Sequence, residues 1–217
     1  MTGLKNTAFI WDLDGTLIDS YGLIVPCLTQ TFREFGAPMD PEGIHRYAVQ
    51  HSAMALMKQA AERAGRAYDE LNARFGELTE ASLNRIPLMD DGREILEYLA
   101  SAGAAHYVYT NRGAHSLKIL GRLGITGFFR VILTSADGFP RKPAPDAVNY
   151  LAEKYRLDRE HTYYVGDRAL DIECAVNAGI GSILLAPEDG YVIPTGKETF
   201  VIRSLSEIRL LAEAGKL

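Results

Sequence analysis

The sequence predicts an α/β fold: a doubly wound parallel sheet with a helical domain inserted after the first strand. Two observations predict the sheet. Short apolar runs end abruptly in polar or glycine-bearing loops, and amphipathic helical patterns lie between them. Unbroken apolar runs of this length are typical of strands buried on both faces, and their alternation with helices is typical of parallel sheets. A third observation, a long N-terminal stretch with helical patterns only, indicates the insert.

The predicted strands and helices alternate along most of the chain. Strands are predicted at residues 8–11, 105–109, 131–133, 162–165, 182–185 and 200–202. Helices are predicted at residues 92–102, 114–123, 145–155, 170–178 and 204–214. This order favours one α/β core domain that is built mainly from the C-terminal two thirds of the chain.

The segment from Ile18 to Arg85 contains no strand-like run. Its apolar residues recur at helical spacing, and a Gly-Ala-Pro turn at residues 36–38 interrupts them. We therefore predict a core domain of residues 1–17 and 86–217 and an all-helical domain of residues 18–85.

Composition excludes several classes of function. The chain has 217 residues, 47% of them apolar and 24% charged, with a formal net charge of −5, which is typical of a globular protein that attracts neither nucleic acid nor anionic membranes. Cys27 and Cys174 lie far apart and lack metal-ligand spacing. Residues 1–7 do not resemble a signal peptide, and no apolar run is long enough for a bilayer. We expect a cytoplasmic protein with no nucleic-acid or membrane partner; the oligomeric state stays open.

Polar residues follow four of the predicted strands. In open α/β sheets, ligands bind at the carboxyl ends of the strands near the point where strand order reverses. The polar residues at these ends are Asp12, Asp14, Thr16, Thr110, Asn111, Arg112, Thr134, Ser135, Arg141, Lys142, Asp167, Arg168 and Asp171. Residues that are scattered in sequence are thereby predicted to converge on one cleft.

The acidic members of this set indicate a metal ion. Asp12, Asp14 and Asp167 would repel one another unless a cation lay between them, and hard oxygen ligands suit Mg²⁺. Glycines at these strand ends would let the backbone approach a ligand closely. They are Gly15, Gly113 and Gly166.

The remaining members indicate a phosphate group. Lys142 offers a compact positive charge, and Thr110 and Asn111 offer neutral donors for phosphate oxygens. A carboxylate beside Mg²⁺ can attack phosphorus to give an aspartyl-phosphate. A second carboxyl two residues further on can protonate the leaving oxygen and then deprotonate the attacking water.

Four motifs resemble those of the haloacid dehalogenase superfamily, in the same order. They are DLDGT at residues 12–16, TN at 110–111, RKPAPD at 141–146 and GDRALD at 166–171. The helical insert resembles the small helical cap of that family, and the core would then be Rossmann-like. The stretches DLDGTLIDS and VGDRALDIECAVNAGI are most similar to phosphoglycolate phosphatase-like members.

The resemblance implies a role for each matching acidic residue. Asp12 would be the nucleophile and a Mg²⁺ ligand, and Asp14 the general acid/base that lends its backbone carbonyl to the metal. Asp167 would complete the metal site, with Asp171 in support.

The resemblance also implies a phosphate-binding set. Thr110 and Asn111 would orient the phosphoryl group, and Lys142 would neutralise both that group and Asp12. Arg112 and Arg168 stand at positions that vary within the family, so a surface position is an alternative to a place in the cleft.

The cap of this family closes over the substrate and supplies specificity, so the helical insert would contact the leaving group and select the substrate. Candidate residues for this are Tyr21, His45, Arg46, His51 and Lys58.

The favoured hypothesis is a Mg²⁺-dependent phosphatase that acts on a small phosphorylated metabolite, with phosphoglycolate the best guess by resemblance. A phosphomutase of the β-phosphoglucomutase type has similar motifs and is the alternative enzyme. A dehalogenase is disfavoured because such enzymes generally lack the second aspartate, which is present here as Asp14. A receiver-like module that is phosphorylated on aspartate without turnover is disfavoured because receivers are shorter and lack the helical insert.

Overall fold

A computed structural model describes residues 3–188 and 190–217 of the protein. The chain forms two compact units. The core unit comprises Met1–Ile18 and Leu88–Leu217, and the helical unit comprises Asp19–Pro87.

The core unit contains a six-stranded parallel sheet, which confirms the predicted α/β class. Its strands are β1 (Ala8–Trp11), β2 (Ala105–Tyr109), β3 (Phe129–Leu133), β4 (Thr162–Gly166), β5 (Gly181–Leu185) and β6 (Phe200–Ile202). They lie in the order β3-β2-β1-β4-β5-β6, and every adjacent pair is parallel. The order reverses at β1, which places the switch point of the doubly wound sheet between β1 and β4.

The helical unit lies between β1 and β2 in sequence. It contains α1 (Tyr21–Glu34), α2 (Pro41–Gln50), α3 (Ala53–Ala64) and α4 (Tyr68–Glu80). Two side chains start helices by accepting backbone hydrogen bonds: Asp40 from Gly43, at 2.7 Å, and Ser52 from Ala55, at 2.9 Å. The core of this unit is apolar and is built from one stripe of each helix. Its fully or almost fully buried members include Leu28, Phe32, Ile44, Leu56, Met57, Ala60 and Leu71.

The described residues of the core unit also form the α-helices α5 (Gly92–Ser101), α6 (His115–Arg122), α7 (Asp146–Tyr155), α8 (Ala169–Ala178) and α9 (Glu207–Glu213). Apolar residues of α7 and α8 pack with β1, β2 and β4 in one cluster. β1 is buried along its whole length and ends at Trp11, so Asp12 is the first residue after this buried strand. Among the residues that the structure describes, no helix has both the length and the apolar character needed to cross a membrane.

One buried histidine is held in its neutral form inside the sheet. The indole Nε1 of Trp11 donates a hydrogen bond to His106 Nδ1 at 3.0 Å, and the Phe9 ring stacks on the imidazole with 5.9 Å between centroids. Burial lowers the pKa of His106 from 6.5 to about 4. The folded protein therefore resists protonation of a group that the unfolded chain protonates readily.

We predict that His106 makes the folded state less stable as the pH falls from about 6.5 to about 4. In that window the unfolded chain binds a proton that the folded protein does not, so the free energy of unfolding decreases with falling pH, by on the order of 3 kcal/mol in total. His106→Asn keeps an acceptor for the Trp11 indole and removes the titrating group. Urea unfolding across this range should therefore show a weaker pH dependence in the variant.

The exposed His161 provides the matched control, because its side chain is half exposed. His161→Asn applies the same exchange at this site, so the comparison separates loss of the buried imidazole from the exchange itself. An identical pH dependence in wild type and His106→Asn would contradict the prediction.

Candidate active site

The candidate active site lies at the carboxyl edge of the sheet, at the switch point. β1 runs directly into Asp12, and β4 runs directly into Asp167. The backbone N–H of Asp12 donates to the Val165 carbonyl at 2.9 Å, so the pairing of these two strands continues to the first acidic residue. The position of Asp12 is therefore set by the sheet itself.

Three buried carboxylates meet at this edge. One oxygen from each of Asp12, Asp167 and Asp171 lies within 4.8 Å of the other two. All three residues are at most 5% exposed. Carboxylate oxygens are the donors that hard divalent cations prefer, so the chemistry of this set fits a metal ion such as Mg²⁺.

The amino group of Lys142 bridges two of these carboxylates. Its Nζ atom lies 2.7 Å from Asp12 Oδ1 and 2.6 Å from Asp171 Oδ1. The aromatic rings of Tyr164 and Tyr109 lie 5.2 and 5.7 Å from the same nitrogen. Burial would lower the pKa of Lys142, but the two carboxylates outweigh burial and raise it, so the amino group stays charged.

The Asp12 carboxylate needs more positive charge than Lys142 provides. Burial raises the pKa of Asp12 to about 6; Lys142 opposes this shift, while the charges of Asp171 and Asp14 add to it. A further cation beside Asp12 would favour its ionised form. This electrostatic deficit is a second reason why the site fits a metal ion.

Asp171 serves as an anchor for Lys142. Its Oδ1 contacts the Lys142 amino group, and its Oδ2 accepts a hydrogen bond from the Arg168 backbone N–H at 3.1 Å, at the start of α8. Gly166 makes room for this carboxyl: a Cβ at that position would lie 2.4 Å from the Asp171 Cβ and 2.5 Å from its Cγ. The sequence interpretation assigned Gly166 to the approach of a ligand, and the structure corrects it, because Asp171 fills that space.

The loop after β2 is tied to the loop that carries Lys142. The side-chain oxygen of Asn111 accepts a hydrogen bond from the Lys142 backbone N–H at 3.1 Å, and the Asn111 carbonyl accepts one from Arg141 at 2.9 Å. Thr110 is buried, and its hydroxyl accepts the Arg112 backbone N–H at 3.1 Å. Both predicted phosphate-binding loops therefore lie at the same edge as Asp12.

The buried carboxylate cluster comprises Asp12, Asp167 and Asp171, and the Asp14 carboxylate instead pairs with an arginine. The Asp14 carboxylate forms a forked ion pair with the guanidinium of Arg112, with Nη2 2.9 Å from Oδ1. The alternative that Arg112 is a surface residue is wrong, because its side chain is only 15% exposed. Sequence reasoning placed Arg112 at a strand end but missed its pairing with Asp14, because the two partners are 98 positions apart and the one available signal was that both follow predicted strands. The next residues turn towards the carboxylate cluster: Gly15 has a φ of +76°, and the Thr16 hydroxyl lies 3.4 Å from Asp167 Oδ1.

Arg168 also differs from the surface alternative. The residue is only partly exposed, and its backbone N–H supports Asp171 as described above. Its main chain therefore contributes to the site by holding Asp171.

The candidates in the helical unit contact other residues of that unit. Arg46 pairs with Glu42 at 2.9 Å on the exposed face of α2, and the Lys58 amino group lies 5.9 Å from the Tyr68 ring centroid. Tyr21 packs against His45 with 5.1 Å between ring centroids. Burial lowers the pKa of His45, and Asp19 opposes that shift. His51 packs on Tyr47 with 4.5 Å between centroids.

Comparison with known proteins identifies the family. The family model described as haloacid dehalogenase-like hydrolase matches residues 9–185, which is more than half of the chain. The chain belongs to this family. It is thus an enzyme of the hydrolase class, and the resemblance drawn from the four motifs is confirmed.

Individual relatives of this hydrolase are phosphatases by name. A phosphoglycolate phosphatase of Vibrio parahaemolyticus is 32% identical over 94% of this chain and 94% of its own length. Pyrophosphatase PpaX of Oceanobacillus iheyensis is 26% identical over 92% of this chain and 93% of its own length. A crystal structure from Haemophilus somnus, described as that of a predicted phosphoglycolate phosphatase, superimposes with a TM-score of 0.84 at 24% identity, over 98% of this chain and 100% of that one.

We predict that Gly166→Ala destabilises this hydrolase, because the added methyl group would overlap the Asp171 side chain. Displacing a buried carboxyl that holds Lys142 should cost about 1–3 kcal/mol of the free energy of unfolding. The midpoint of urea unfolding measures the loss.

Gly121→Ala is the matched control. Gly121 lies in α6, and a Cβ there would meet nothing within 4 Å. Alanine favours a helix more than glycine does, so this variant should be as stable as the wild type or more stable. Equal unfolding midpoints for Gly166→Ala and the wild type would show that Asp171 can move without cost.

Proposed function

We propose that this hydrolase is a Mg²⁺-dependent phosphatase that hydrolyses a phosphate monoester of a small metabolite through an aspartyl-phosphate on Asp12. One observation carries the proposal: Lys142 lies in contact with Asp12 inside a cluster of three buried carboxylates at the switch point of the sheet. Such a cluster can hold a divalent cation, which together with Lys142 would neutralise an anionic phosphoryl group.

Three residues would hold the metal ion. Asp12 and Asp167 would contribute carboxylate oxygens and Asp14 its backbone carbonyl, while Asp171 supports the site by holding Lys142. When bound, Mg²⁺ supplies positive charge that neutralises the phosphoryl oxygens and the carboxylates around them.

The first step would transfer the phosphoryl group to the protein. An Asp12 carboxylate oxygen attacks phosphorus, the bond to the leaving oxygen breaks, and Asp14 donates a proton to that oxygen. Lys142 neutralises charge on the phosphoryl group, and Thr110 and Asn111 orient it.

The second step would return Asp12 to its starting form. A water molecule attacks the phosphorus atom of the aspartyl-phosphate, and Asp14 takes a proton from this water. The bond from phosphorus to the Asp12 oxygen breaks, which releases inorganic phosphate and regenerates the carboxylate.

Phosphoglycolate is the proposed substrate. Support comes from the phosphoglycolate phosphatase of Vibrio parahaemolyticus, which is similar over almost the entire length of both chains. The similarity to a pyrophosphatase makes inorganic pyrophosphate the first compound to compare with it.

We predict that Asp12→Asn lowers phosphate release from para-nitrophenyl phosphate by roughly 10⁴-fold or more, because the amide cannot attack phosphorus. The circular dichroism spectrum should remain that of the folded wild type. In the wild type, acid quenching followed by borohydride reduction and peptide mass spectrometry should locate the phosphorylated residue at Asp12.

Asp69→Asn is the control for this substitution. Asp69 is exposed in the first turn of α4 and takes no part in the proposed site, so activity should be unchanged. Full activity in purified Asp12→Asn would contradict the nucleophile assignment. A stable phosphoprotein without phosphate release would favour the receiver-like alternative.

We predict that phosphoglycolate has the highest kcat/KM in a panel of phosphorylated metabolites at saturating Mg²⁺. A chelator should stop phosphate release from every substrate, because the carboxylates then lack their cation. Phosphate release measures both effects, and added Mg²⁺ should restore turnover. The panel includes pyrophosphate and hexose phosphates.

Three outcomes would change this conclusion. Turnover that persists without metal would contradict the assignment of the carboxylate cluster to Mg²⁺. Preference for pyrophosphate would replace the substrate. Isomerisation of a hexose phosphate without phosphate release would favour the phosphomutase.

A further inference from the structure

The ion pair between Arg112 and Asp14 has a geometry that restricts the carboxylate. Arg112 Nε lies 3.0 Å from Oδ1 and 3.1 Å from Oδ2, and Nη2 lies 2.9 Å from Oδ1. Both carboxylate oxygens therefore accept hydrogen bonds from one planar group. A guanidinium fixes the orientation of a carboxylate in this way, whereas an ammonium group acts as a point charge.

The backbone of Arg112 is itself held on both sides. Its N–H donates to the Thr110 hydroxyl at 3.1 Å, and its carbonyl accepts the Ser135 N–H at 3.0 Å. These contacts join the loop after β2 to the loop after β3. The guanidinium thus extends from a constrained main chain, so it can impose its own position on Asp14.

The pair is also shielded from solvent. The side chains of Arg112 and Asp14 are 15% and 27% exposed, whereas Arg209 and Glu213, which pair at 2.8 Å on α9, are 59% and 48% exposed. Exposed pairs are screened and contribute little. The two pairs join the same kinds of group, an arginine and a carboxylate, and only one of them lies beside the proposed site.

We infer that Arg112 is a positioning residue: its Nε and Nη2 atoms hold Asp14 Oδ1, so that Oδ2, which carries the proton in the acid form of Asp14, can deliver it to the leaving oxygen. This inference rests on the proposed function. Proton transfer depends steeply on the position of the acid, and a misplacement of about 1 Å costs on the order of 10²-fold in rate. Arg112 would accordingly matter most for substrates whose leaving oxygen cannot depart without a proton.

The test compares two leaving groups. Para-nitrophenolate departs readily without protonation, whereas the alkoxide of phosphoglycolate needs a proton. For each substrate kcat/KM is measured, because it reports the steps up to phosphoryl transfer and excludes hydrolysis of the aspartyl-phosphate.

Arg112→Met should lower kcat/KM for phosphoglycolate by about 10²-fold and for para-nitrophenyl phosphate by only a few-fold. Arg112→Lys keeps the charge without the fork and should show a smaller loss of the same selectivity. If Arg112→Met does not fold, Arg112→Lys carries the comparison. Arg209→Met should leave the ratio of the two kcat/KM values unchanged.

A double-mutant cycle with Asp14→Asn separates positioning from a direct contact with phosphate. Once Asp14 cannot donate its proton, Arg112→Met should cause no further selective loss for phosphoglycolate. Equal losses for both substrates, or selective losses that add in the double variant, would overturn the inference.

The same measurements distinguish failure of the inference from failure of the proposed function. Wild-type protein that releases no phosphate from either substrate, or Asp12→Asn that retains activity, would overturn the proposed function and this inference with it. Normal turnover that depends on Asp12, together with an unchanged ratio in the folded Arg112 variants, would overturn the role of Arg112 alone.

Discussion

The contact of the Lys142 amino group with Asp12 and Asp171 is the interaction on which the rest of the site depends. A buried ammonium is costly unless carboxylates and hydrogen bonds compensate it, and the protein places two carboxylates at 2.6–2.7 Å from it. Removing the ammonium would leave two buried carboxylates without the charge that compensates them. Neighbouring residues support this contact. Gly166 leaves the space that Asp171 occupies, and Asn111 accepts a hydrogen bond from the Lys142 backbone.

The parallel sheet makes such a concentration of charge possible. The carboxyl ends of its central strands meet at one edge, so acidic residues from two separate motifs become neighbours while the strands behind them stay apolar. The Tyr164 hydroxyl donates to the Tyr109 carbonyl oxygen, which joins β4 to the end of β2, and both rings lie beside Lys142. The two tyrosine rings thus both bury the Lys142 side chain and restrict its position.

The sequence predicted the strands and the convergence of Asp12, Lys142 and Asp167 on one edge, because these features follow from periodicity and from the order of the motifs. By resemblance it also placed Lys142 beside Asp12, but it did not predict the cation that meets Asp14. The pairing of Arg112 with Asp14 depends on side-chain direction at two strand ends that are 98 residues apart, and the need for Gly166 depends on a helix packing against its own preceding strand. Local patterns carry no information about contacts of either kind.

Two carboxylates that are two residues apart thereby acquire separate environments. Asp12 is buried against the compact ammonium of Lys142, whereas Asp14 is partly exposed and forms an ion pair with the planar guanidinium of Arg112. On the proposed mechanism these environments match two tasks: a nucleophile needs its charge neutralised where phosphorus approaches, and an acid/base needs a fixed orientation and access to water. Different neighbours can assign different chemistry to identical side chains, and here the neighbours come from two loops that a hydrogen bond between Asn111 and Lys142 joins.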